Sequence, residues 1–206
     1  GIPGTAEDIM VARDIISAEY SGAHVHIAHV STAGSVELIR NAKRRGVMVT
    51  AETAPHYFTL TEEAVREFDT NTKVNPPLRG LQDVAAVKEG LKDGTIDAIA
   101  SDHAPHAVTD KEVEYDYAAS GIVGLETSLS LSMALVSEGI LSLSSLVLKM
   151  STNPAGILRV QGGSLKPGMA ADVTIIDPEL TWPVDPKHFH SKSCNTPFSG
   201  RTLKGR

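Results

Sequence analysis

The spacing of apolar positions predicts alternating helices and strands over the first 160 residues. Residues 5–20 have helical spacing, with Thr5 able to cap the N-terminus and Glu7 and Asp8 in the first turn, where the helix dipole favours negative charge. Further predicted helices cover residues 35–45, 83–91, 124–137, 141–150 and 153–158, and predicted strands cover residues 23–31, 46–53 and 95–102. Gly46 is predicted to end the second helix. Such alternation is typical of a parallel α/β fold.

The pattern changes near residue 160. Residues 162–178 contain the turn residues Gly, Lys-Pro and Gly, and then the β-branched run 172–176, which predicts a strand. Turns are predicted at Asp185-Pro186 and Thr196-Pro197. The sequence therefore predicts two parts, an α/β part over 1–160 and a β-rich part over 161–206.

Three strand–helix units are too few for a closed (β/α)₈ barrel, which needs eight strands and about 250 residues. The chain begins at Gly1 and runs almost at once into a helical pattern, and it ends at Arg206 just after a turn-rich stretch. We therefore expect a piece of a larger protein, in which most of any barrel precedes Gly1.

Composition narrows the possible partners. The 206 residues are 41% hydrophobic and 21% charged, and their formal net charge of -6 gives no electrostatic case for nucleic acid or for a membrane surface. No apolar run is long enough to cross a bilayer. Cys194 is the only cysteine, so no internal disulfide can form, which fits a reducing compartment and predicts a cytoplasmic location.

The first candidate site residues are the histidines of the strand predicted over residues 23–31. Because side chains alternate along a strand, His24 and His26 are predicted to share one face, and His29 the other face with Val25 and Ile27. His29 lies at the carboxyl end, where active residues of parallel α/β folds occur. A single histidine in such a place is more often structural than a ligand.

Asp102 ends the third predicted strand, within Ser-Asp-His-Ala-Pro-His. A buried carboxylate there can bind a metal or move a proton, although Asp also commonly caps a turn. His103 and His106 follow, and imidazole and carboxylate together suit zinc.

Two loops are further candidates. In residues 73–79, two successive prolines stiffen the loop that carries Asn75, which either presents its amide to a ligand or caps a turn. Ser120 and Gly121 precede an apolar helix, and their N–H groups are placed to meet an anion or a carbonyl oxygen. His56 is interpreted as a loop residue. His188 and His190 are interpreted as surface residues. Trp182 and Phe198 are interpreted as packing residues.

Ordered motifs give the chain a resemblance to a known family. The segments HIAHVST, TAETAPHY, KVNPPLRG and DGTIDAIASDHAPH follow one another, and NPAGILRV, GSLKPGMAADVTIID and SKSCNTPFSG continue to the C-terminus. Together they resemble the dihydroorotases of the amidohydrolase superfamily over essentially all of the chain. The resemblance implies a metal-dependent TIM barrel, here about strands 6 to 8, followed by part of a small β-sandwich.

The resemblance also implies chemistry and roles. The reaction is the reversible cyclisation of N-carbamoyl-L-aspartate to L-dihydroorotate in pyrimidine synthesis, with two zinc ions in a complete site. His29 matches a metal ligand, and Asp102 matches a metal ligand that also serves as the catalytic acid and base. Asn75 and His106 match substrate-binding residues, and Ser120 and Gly121 fall where family members contact substrate through the loop backbone. Where relatives often have Pro-Phe-Gly, this chain has Ala-Ser-Gly at 119–121.

Part of the family pattern is absent. The H-x-H pair of the first barrel strand and the ligands of the fourth and fifth strands have no counterpart in the chain, and His24 and His26 are not expected to replace them. We therefore expect the 206 residues alone to bind metal weakly and to be inactive. Alternatives are a hydantoinase, dihydropyrimidinase or allantoinase, or a non-catalytic dihydroorotase-like subunit. The partners implied are a small-molecule substrate and either a second copy in a homodimer or aspartate transcarbamoylase.

Overall fold

The computed structural model describes residues 2–206 and has helices and strands in alternation up to Leu158. The strands are β1 (Val25–Ile27), β2 (Val49–Thr53), β3 (Ala98–Ile99), β4 (Thr181–Pro183) and β5 (Thr202–Lys204). The helices are α1 (Gly4–Ser21), α2 (Ala33–Arg44), α3 (Pro55–Thr59), α4 (Leu81–Asp93), α5 (Val108–Lys111), α6 (Leu125–Ser137), α7 (Leu143–Val147) and α8 (Asn153–Leu158). A π-helical turn joins α7 to α8 at Leu148–Thr152. Short 3₁₀ turns occur at Glu62–Val65, Thr70–Thr72 and Pro186–His188.

The strands β1, β2 and β3 form one parallel sheet in that order. Val25 pairs with Val49 and Ile27 with Ala51, while Thr53 pairs with Ile99. This confirms the predicted parallel α/β class. Within residues 2–206 the sheet stays open and does not close into a barrel.

One face of the sheet is covered by helices. Alternate strand residues Ile27, Val49 and Ala51 are buried together with Ile39 of α2 and Leu91 of α4. The intervening residues lie on the opposite, half-buried face, namely His26, Thr50 and Glu52. The two faces therefore differ in kind: an apolar face toward the helices and a polar face that leads to the candidate site.

The predicted elements of the α/β part are present, with shifted ends. The strands are shorter than predicted, since β1 ends at Ile27 and β3 at Ile99. The prediction of a Thr5 cap was wrong, because α1 begins one residue earlier, at Gly4, and Pro3 takes the cap position. Gly46 has φ 81° and follows the last turn of α2, as predicted for a residue that ends a helix in the left-handed conformation.

The C-terminal region differs from its prediction. The run 172–176 forms no strand, and the β-structure is instead the antiparallel pair β4–β5. Val184 and Phe198 are buried in one apolar cluster with Tyr57 and Leu131. The last 25 or so residues thus pack against the α/β part, and the predicted division at residue 160 stays a prediction. In the part of the chain described, no helix combines the length and the apolar character needed to span a bilayer.

Replacing Ile39 by Ala should lower the free energy of unfolding by about 2–5 kcal/mol, because its side chain is 0% exposed and the smaller residue leaves a cavity. The matched substitution Ile16→Ala, at a helical residue that is 64% exposed, should change it by less than about 0.5 kcal/mol. Urea unfolding of both variants measures the difference. Equal losses would contradict the placement of the core.

Candidate active site

The carboxyl ends of the three parallel strands meet at one edge. Beyond the strands, Val30 N–H donates to the Glu52 carbonyl oxygen at 2.9 Å, and Ala100 N–H donates to the Thr53 carbonyl oxygen at 2.9 Å. The Thr53 hydroxyl donates to the Val30 carbonyl oxygen at 2.8 Å. These bonds hold the segments after β1 and β3 on either side of the end of β2.

Two residues at this edge have a left-handed backbone. His29 has φ 58° and Asp102 has φ 48°, a conformation that is uncommon for residues other than glycine. Such conformations concentrate at functional sites, where the surrounding structure enforces them. The turn at each residue directs its side chain toward the other.

Four side chains converge with His29 at the strand ends. His29 Nε2 lies 3.7 Å from Asp102 Oδ1, and His56 Nε2 lies 3.5 Å from Asp102 Oδ2. On its other side, His29 Nδ1 lies 3.5 Å from Glu52 Oε1. His26 Nε2 lies 3.2 Å from Glu52 Oε2. The two carboxylates thus each meet two imidazoles, and the proximity expected of His29 and Asp102 is present.

His24 and His26 share a face as predicted, but the prediction that His29 lies on the other face with Val25 and Ile27 was wrong. His26 lies on the polar face with Glu52, while Val25 and Ile27 pack toward the helices. The strict alternation ends at Ile27, and the left-handed turn at His29 returns its ring to the side that His26 occupies. His24 and His26 both contact the Thr50 hydroxyl, at 2.9 and 2.8 Å, so His24 lies farther along the same face.

Burial sets the charge states in this cluster. Burial and, to a smaller extent, the neighbouring His29 together lower the pKa of His56 to about 3, so His56 is neutral at neutral pH. Burial also raises the pKa of the Asp102 carboxyl above its usual value; His29 opposes this rise and the Glu52 carboxylate adds to it. The site therefore places one neutral imidazole against a carboxyl group whose charge is partly desolvated.

The nitrogen and oxygen donor atoms at this edge are suited to form part of a metal site. His29 Nδ1 and His56 Nε2 are buried and have no hydrogen-bond partner, which is unusual for buried polar atoms. Imidazole nitrogen and carboxylate oxygen are the donors that zinc prefers outside thiolate sites. Nevertheless, among residues 2–206 no three His, Cys, Asp or Glu side chains form a group that could hold an ion. His29 and Asp102 are thus suited to supply part of a coordination shell and not the whole of it.

Carboxylates from α1 hold the loop that follows His29. Glu7 accepts hydrogen bonds from the backbone N–H of Ser31 at 2.9 Å and of Thr32 at 3.2 Å, next to the N-terminus of α2, where negative charge is favourable. Arg79 donates to the Ser31 hydroxyl at 3.1 Å and to the Ile2 carbonyl oxygen at 2.7 Å. Arg79 therefore links the proline-containing loop to the loop after β1.

Asn75 and Ser120 line the same cavity, which has a volume of about 1050 Å³. The loop that carries Asn75 is held by α3, because the Tyr57 hydroxyl donates to the Pro76 carbonyl oxygen at 2.8 Å. The Lys73 ammonium lies on the wall of the cavity and donates to the Tyr115 carbonyl oxygen at 2.8 Å. Two of the four predicted substrate residues thus share one concave space.

His103 and His106 have different surroundings in the long loop after β3. His103 Nδ1 accepts from the Gly124 N–H at 3.1 Å, so this side chain caps the start of α6. His106 Nε2 lies 2.9 Å from the Ser120 carbonyl oxygen. A carbonyl oxygen only accepts, so His106 carries its hydrogen on Nε2 in this contact.

Gly121 joins this loop to its neighbour. Its N–H donates to the Lys73 carbonyl oxygen at 2.8 Å, so in this structure that group is committed to protein and not open to a ligand. Its φ of 131° disfavours other residues, and an added Cβ would meet Ala104 Cβ at 2.5 Å and His106 Nε2 at 3.1 Å. The buried Lys111 ammonium donates to the Ala119 carbonyl oxygen at 2.7 Å and to the Gly121 carbonyl oxygen at 3.0 Å.

Comparison with known proteins gives this geometry a family. The family model described as "Amidohydrolase family" matches residues 6–205. The chain belongs to the amidohydrolase family. Members of this family are generally metal-dependent, which agrees with the donors at the strand ends. Curated relatives of this amidohydrolase include a protein named dihydroorotase from Syntrophus aciditrophicus strain SB, 64% identical over the whole chain and 48% of its own length. Another, also named dihydroorotase, is from Pelotomaculum thermopropionicum, 63% identical over the whole chain and 48% of its own length.

Solved structures with a similar fold include a hydantoinase and a dihydropyrimidinase. An L-hydantoinase from Arthrobacter aurescens superposes with a TM-score of 0.93 at 33% identity, covering 98% of this chain and 46% of the other. A dihydropyrimidinase from Brevibacillus agri NCHU1002 also gives 0.93, at 26% identity, covering 98% of this chain and 46% of the other. The amidohydrolase chain spans about half the length of the curated relatives it matches.

Several residues at the candidate site of this amidohydrolase were not predicted from the sequence or were given another role. Glu52 was not considered, and His56 was interpreted as a loop residue, yet both approach the metal-type donors. The rule that active residues follow parallel strands was available for His56, because it lies three residues beyond β2. Nothing local marks Arg79, whose partners lie in other segments, or Lys111, which donates to the far end of its own loop.

Raising the pH should stabilise the amidohydrolase chain through Lys111. Burial, reinforced by nearby Lys73, lowers the pKa of Lys111 from 10.5 to about 8 in the folded state. Between these values the unfolded chain holds a proton that the folded chain has released, so stability rises with pH in that window. Relative to Lys111→Met, which cannot titrate, the wild type should gain about 2 kcal/mol of unfolding free energy between about pH 7 and about pH 9.5. Urea unfolding at both pH values measures this, and a constant difference would show that Lys111 keeps an ordinary pKa.

Proposed function

We propose that the chain is the C-terminal part of a zinc-dependent dihydroorotase, which interconverts N-carbamoyl-L-aspartate and L-dihydroorotate. The carrying observation is the convergence of His29 Nε2 and Asp102 Oδ1 to 3.7 Å at the strand ends, in a chain 64% identical to a protein named dihydroorotase. On this proposal β1, β2 and β3 are barrel strands 6 to 8, and residues 161–206 belong to a small β-sandwich completed by the N-terminal part.

The proposed catalytic group is Asp102. When the ring amide is hydrolysed, a carbon–oxygen bond forms at the ring carbonyl, the carbon–nitrogen bond breaks, and a proton must reach the departing nitrogen. A carboxylate held between two imidazoles can accept the proton from water and return it to that nitrogen. Zinc, held in part by His29 and Asp102, would lower the pKa of water toward about 7.

The remaining proposed residues bind and orient the substrate. Asn75 and Ser120 line the large cavity, and His106, which does not line it, is hydrogen-bonded to the Ser120 carbonyl oxygen. An imidazole and an amide suit the carboxylate and amide groups of dihydroorotate. The Gly121 N–H donates to the Lys73 carbonyl oxygen. The proposed contribution of Gly121 is therefore that, without a side chain, it allows the two segments to approach closely.

A hydantoinase or dihydropyrimidinase is the second candidate, favoured by the fold similarity at 26–33% identity. His106 discriminates between the two, because hydantoin has no carboxylate for this imidazole to bind. A non-catalytic subunit, paired with aspartate transcarbamoylase or with a second copy of the chain, is a further alternative. Retention of His29, Asp102, Asn75 and His106 argues against a silent role.

A chimera tests the proposed activity. The 206 residues would replace the matching stretch of the Syntrophus aciditrophicus protein, and hydrolysis of L-dihydroorotate and hydantoin would be followed in parallel. We expect turnover of dihydroorotate, and a loss of about 10²–10⁴-fold in kcat for Asp102→Asn, because the proton carrier is removed. The control Asp14→Asn, at an exposed residue of α1 paired with Arg13, should be unchanged. Turnover of hydantoin alone would support the second candidate, and equal activity of both variants would remove Asp102 from the mechanism.

The 206-residue chain by itself should bind zinc more weakly than the chimera and should not hydrolyse dihydroorotate. His29 and Asp102 cannot fill the four-coordinate shell of zinc, and the described residues offer no third ligand in place. Titration calorimetry with zinc and a turnover assay measure the two properties. Measurable turnover by the chain alone would overturn the assignment of the missing ligands to an N-terminal part.

A further inference from the structure

We propose that Asn195 and Ser193, from the segment between the last two strands, are positioning residues for the substrate-binding loop of residues 104–121. This inference rests on the proposed function, since it assigns those two residues to the contact between His106 and substrate. Both residues lie in the segment SKSCNTPFSG, but no pattern in that segment marks either of them for such a role, and they reach the loop from about 90 positions away in sequence.

Asn195 uses its whole side-chain amide on this loop. Its Nδ2 donates to the Ala104 carbonyl oxygen at 3.1 Å and to the Gly121 carbonyl oxygen at 3.0 Å. Its Oδ1 accepts from the His106 N–H at 3.2 Å. The side chain is 4% exposed, so these bonds are made away from water, where an unpaired polar group is costly. This amide therefore bridges the two arms of the loop, residues 104–106 and 119–121, beside the main-chain bond in which the Ala104 N–H donates to the Ile122 carbonyl oxygen at 2.8 Å.

Ser193 completes the contact with His106. Its hydroxyl lies between the His106 carbonyl oxygen and Asn195 Oδ1, and its single proton can be donated to one of them at a time. With Asn195 on the N–H and Ser193 on the carbonyl oxygen, both backbone groups of His106 are held by the C-terminal segment.

The ring of His106 is sensitive to this spacing. Its Nε2 donates to the Ser120 carbonyl oxygen at 2.9 Å, so the ring belongs to one arm and its acceptor to the other. Gly121 approaches so closely that a Cβ there would lie 2.5 Å from Ala104 Cβ. A change in the distance between the arms therefore alters the direction in which His106 presents its ring.

Lys111 does not duplicate this function. Its ammonium donates to the Ala119 and Gly121 carbonyl oxygens, both on the second arm, and it does not touch residues 104–106. Among residues 2–206, Asn195 is the side chain that connects the Ala104 and Gly121 carbonyl oxygens. Loss of Asn195 or Ser193 should therefore change His106 while leaving the second arm held by Lys111.

The test uses the chimera with Asn195→Asp and Ser193→Ala. Asn195→Asp keeps Oδ1 but turns the two donated bonds into contacts between oxygens, and Ser193→Ala removes one hydroxyl from a half-buried residue. Ser193→Thr restores the hydroxyl, and Ser144→Ala, at an exposed residue of α7, is the matched control. Steady-state kinetics with dihydroorotate and amide hydrogen exchange at His106 are measured for each.

We expect KM to rise at least about tenfold in Asn195→Asp and about threefold or more in Ser193→Ala, with kcat changing less, because binding and not proton transfer is affected. Exchange at the His106 amide should accelerate about tenfold in Asn195→Asp, because repulsion between the new carboxylate and the Ala104 and Gly121 carbonyl oxygens moves Oδ1 away from the His106 N–H, whereas the Ile39 amide in α2 should not change. In a His106→Ala background the same substitutions should add little to KM, since residues that act through a common partner are not additive. Ser193→Thr should restore KM.

Distinct results separate failure of this inference from failure of the proposed function. Normal KM in Ser193→Ala, or effects that add fully to His106→Ala, would overturn the positioning role while dihydroorotate turnover stands. If the chimera hydrolyses no dihydroorotate, the proposed function fails, but hydrogen exchange at the His106 amide still tests whether Asn195 and Ser193 position His106. Unchanged exchange in both Asn195→Asp and Ser193→Ala would then overturn the positioning role. If Asn195→Asp does not fold, Ser193→Ala and its Thr rescue decide the question.

Discussion

Parallel pairing of β2 with both of its neighbours is the constraint on which the site depends. Because all three strands run in one direction, their carboxyl ends lie at one edge, and the chain can bring residues far apart in sequence into contact there. The ladder continues past the strands through Val30 and Ala100, so the turns at His29 and Asp102 are held in register by main-chain bonds. The left-handed backbone of these two residues then sets the direction of their side chains.

Loops that lie against protein must satisfy their own peptide groups, and here side chains from other elements do so. Glu7 accepts from the loop after β1, Lys111 donates to the carbonyl oxygens before α6, and Asn195 donates to both arms of the loop after β3. Glu7 and Asn195 reach in from outside the loops that they hold, whereas Lys111 belongs to the loop that it holds. The site is therefore a product of the entire chain, including the last segment, and not of the three strand ends alone.

The fold was predictable where one local pattern decided the structure. Helical spacing located α2 and α6 to within two residues, and the run of alternating elements gave the parallel α/β class. The face of His29 was predicted wrongly, because alternation was extended past Ile27, where the strand had already ended. The strand predicted over 172–176 failed for a related reason, since β-branched composition gives no pairing partner.

The candidate site was predictable only in part. His29 and Asp102 follow from their place at strand ends, and Asn75 and Ser120 share a cavity as residues of one substrate site would. Glu52 and Asn195 could not be found in this way, because their roles depend on contacts across the fold, and the segments TAETAPHY and SKSCNTPFSG in which they lie do not single them out. Long-range hydrogen bonds of this kind become visible only in three dimensions.

Zinc-edge anomalous diffraction from crystals of the zinc-loaded chimera tests the central claim most directly. The account predicts an anomalous peak about 2.0–2.2 Å from both a ring nitrogen of His29 and a carboxylate oxygen of Asp102. A zinc peak bound by other residues, with His29 and Asp102 left in contact only with each other, would contradict it.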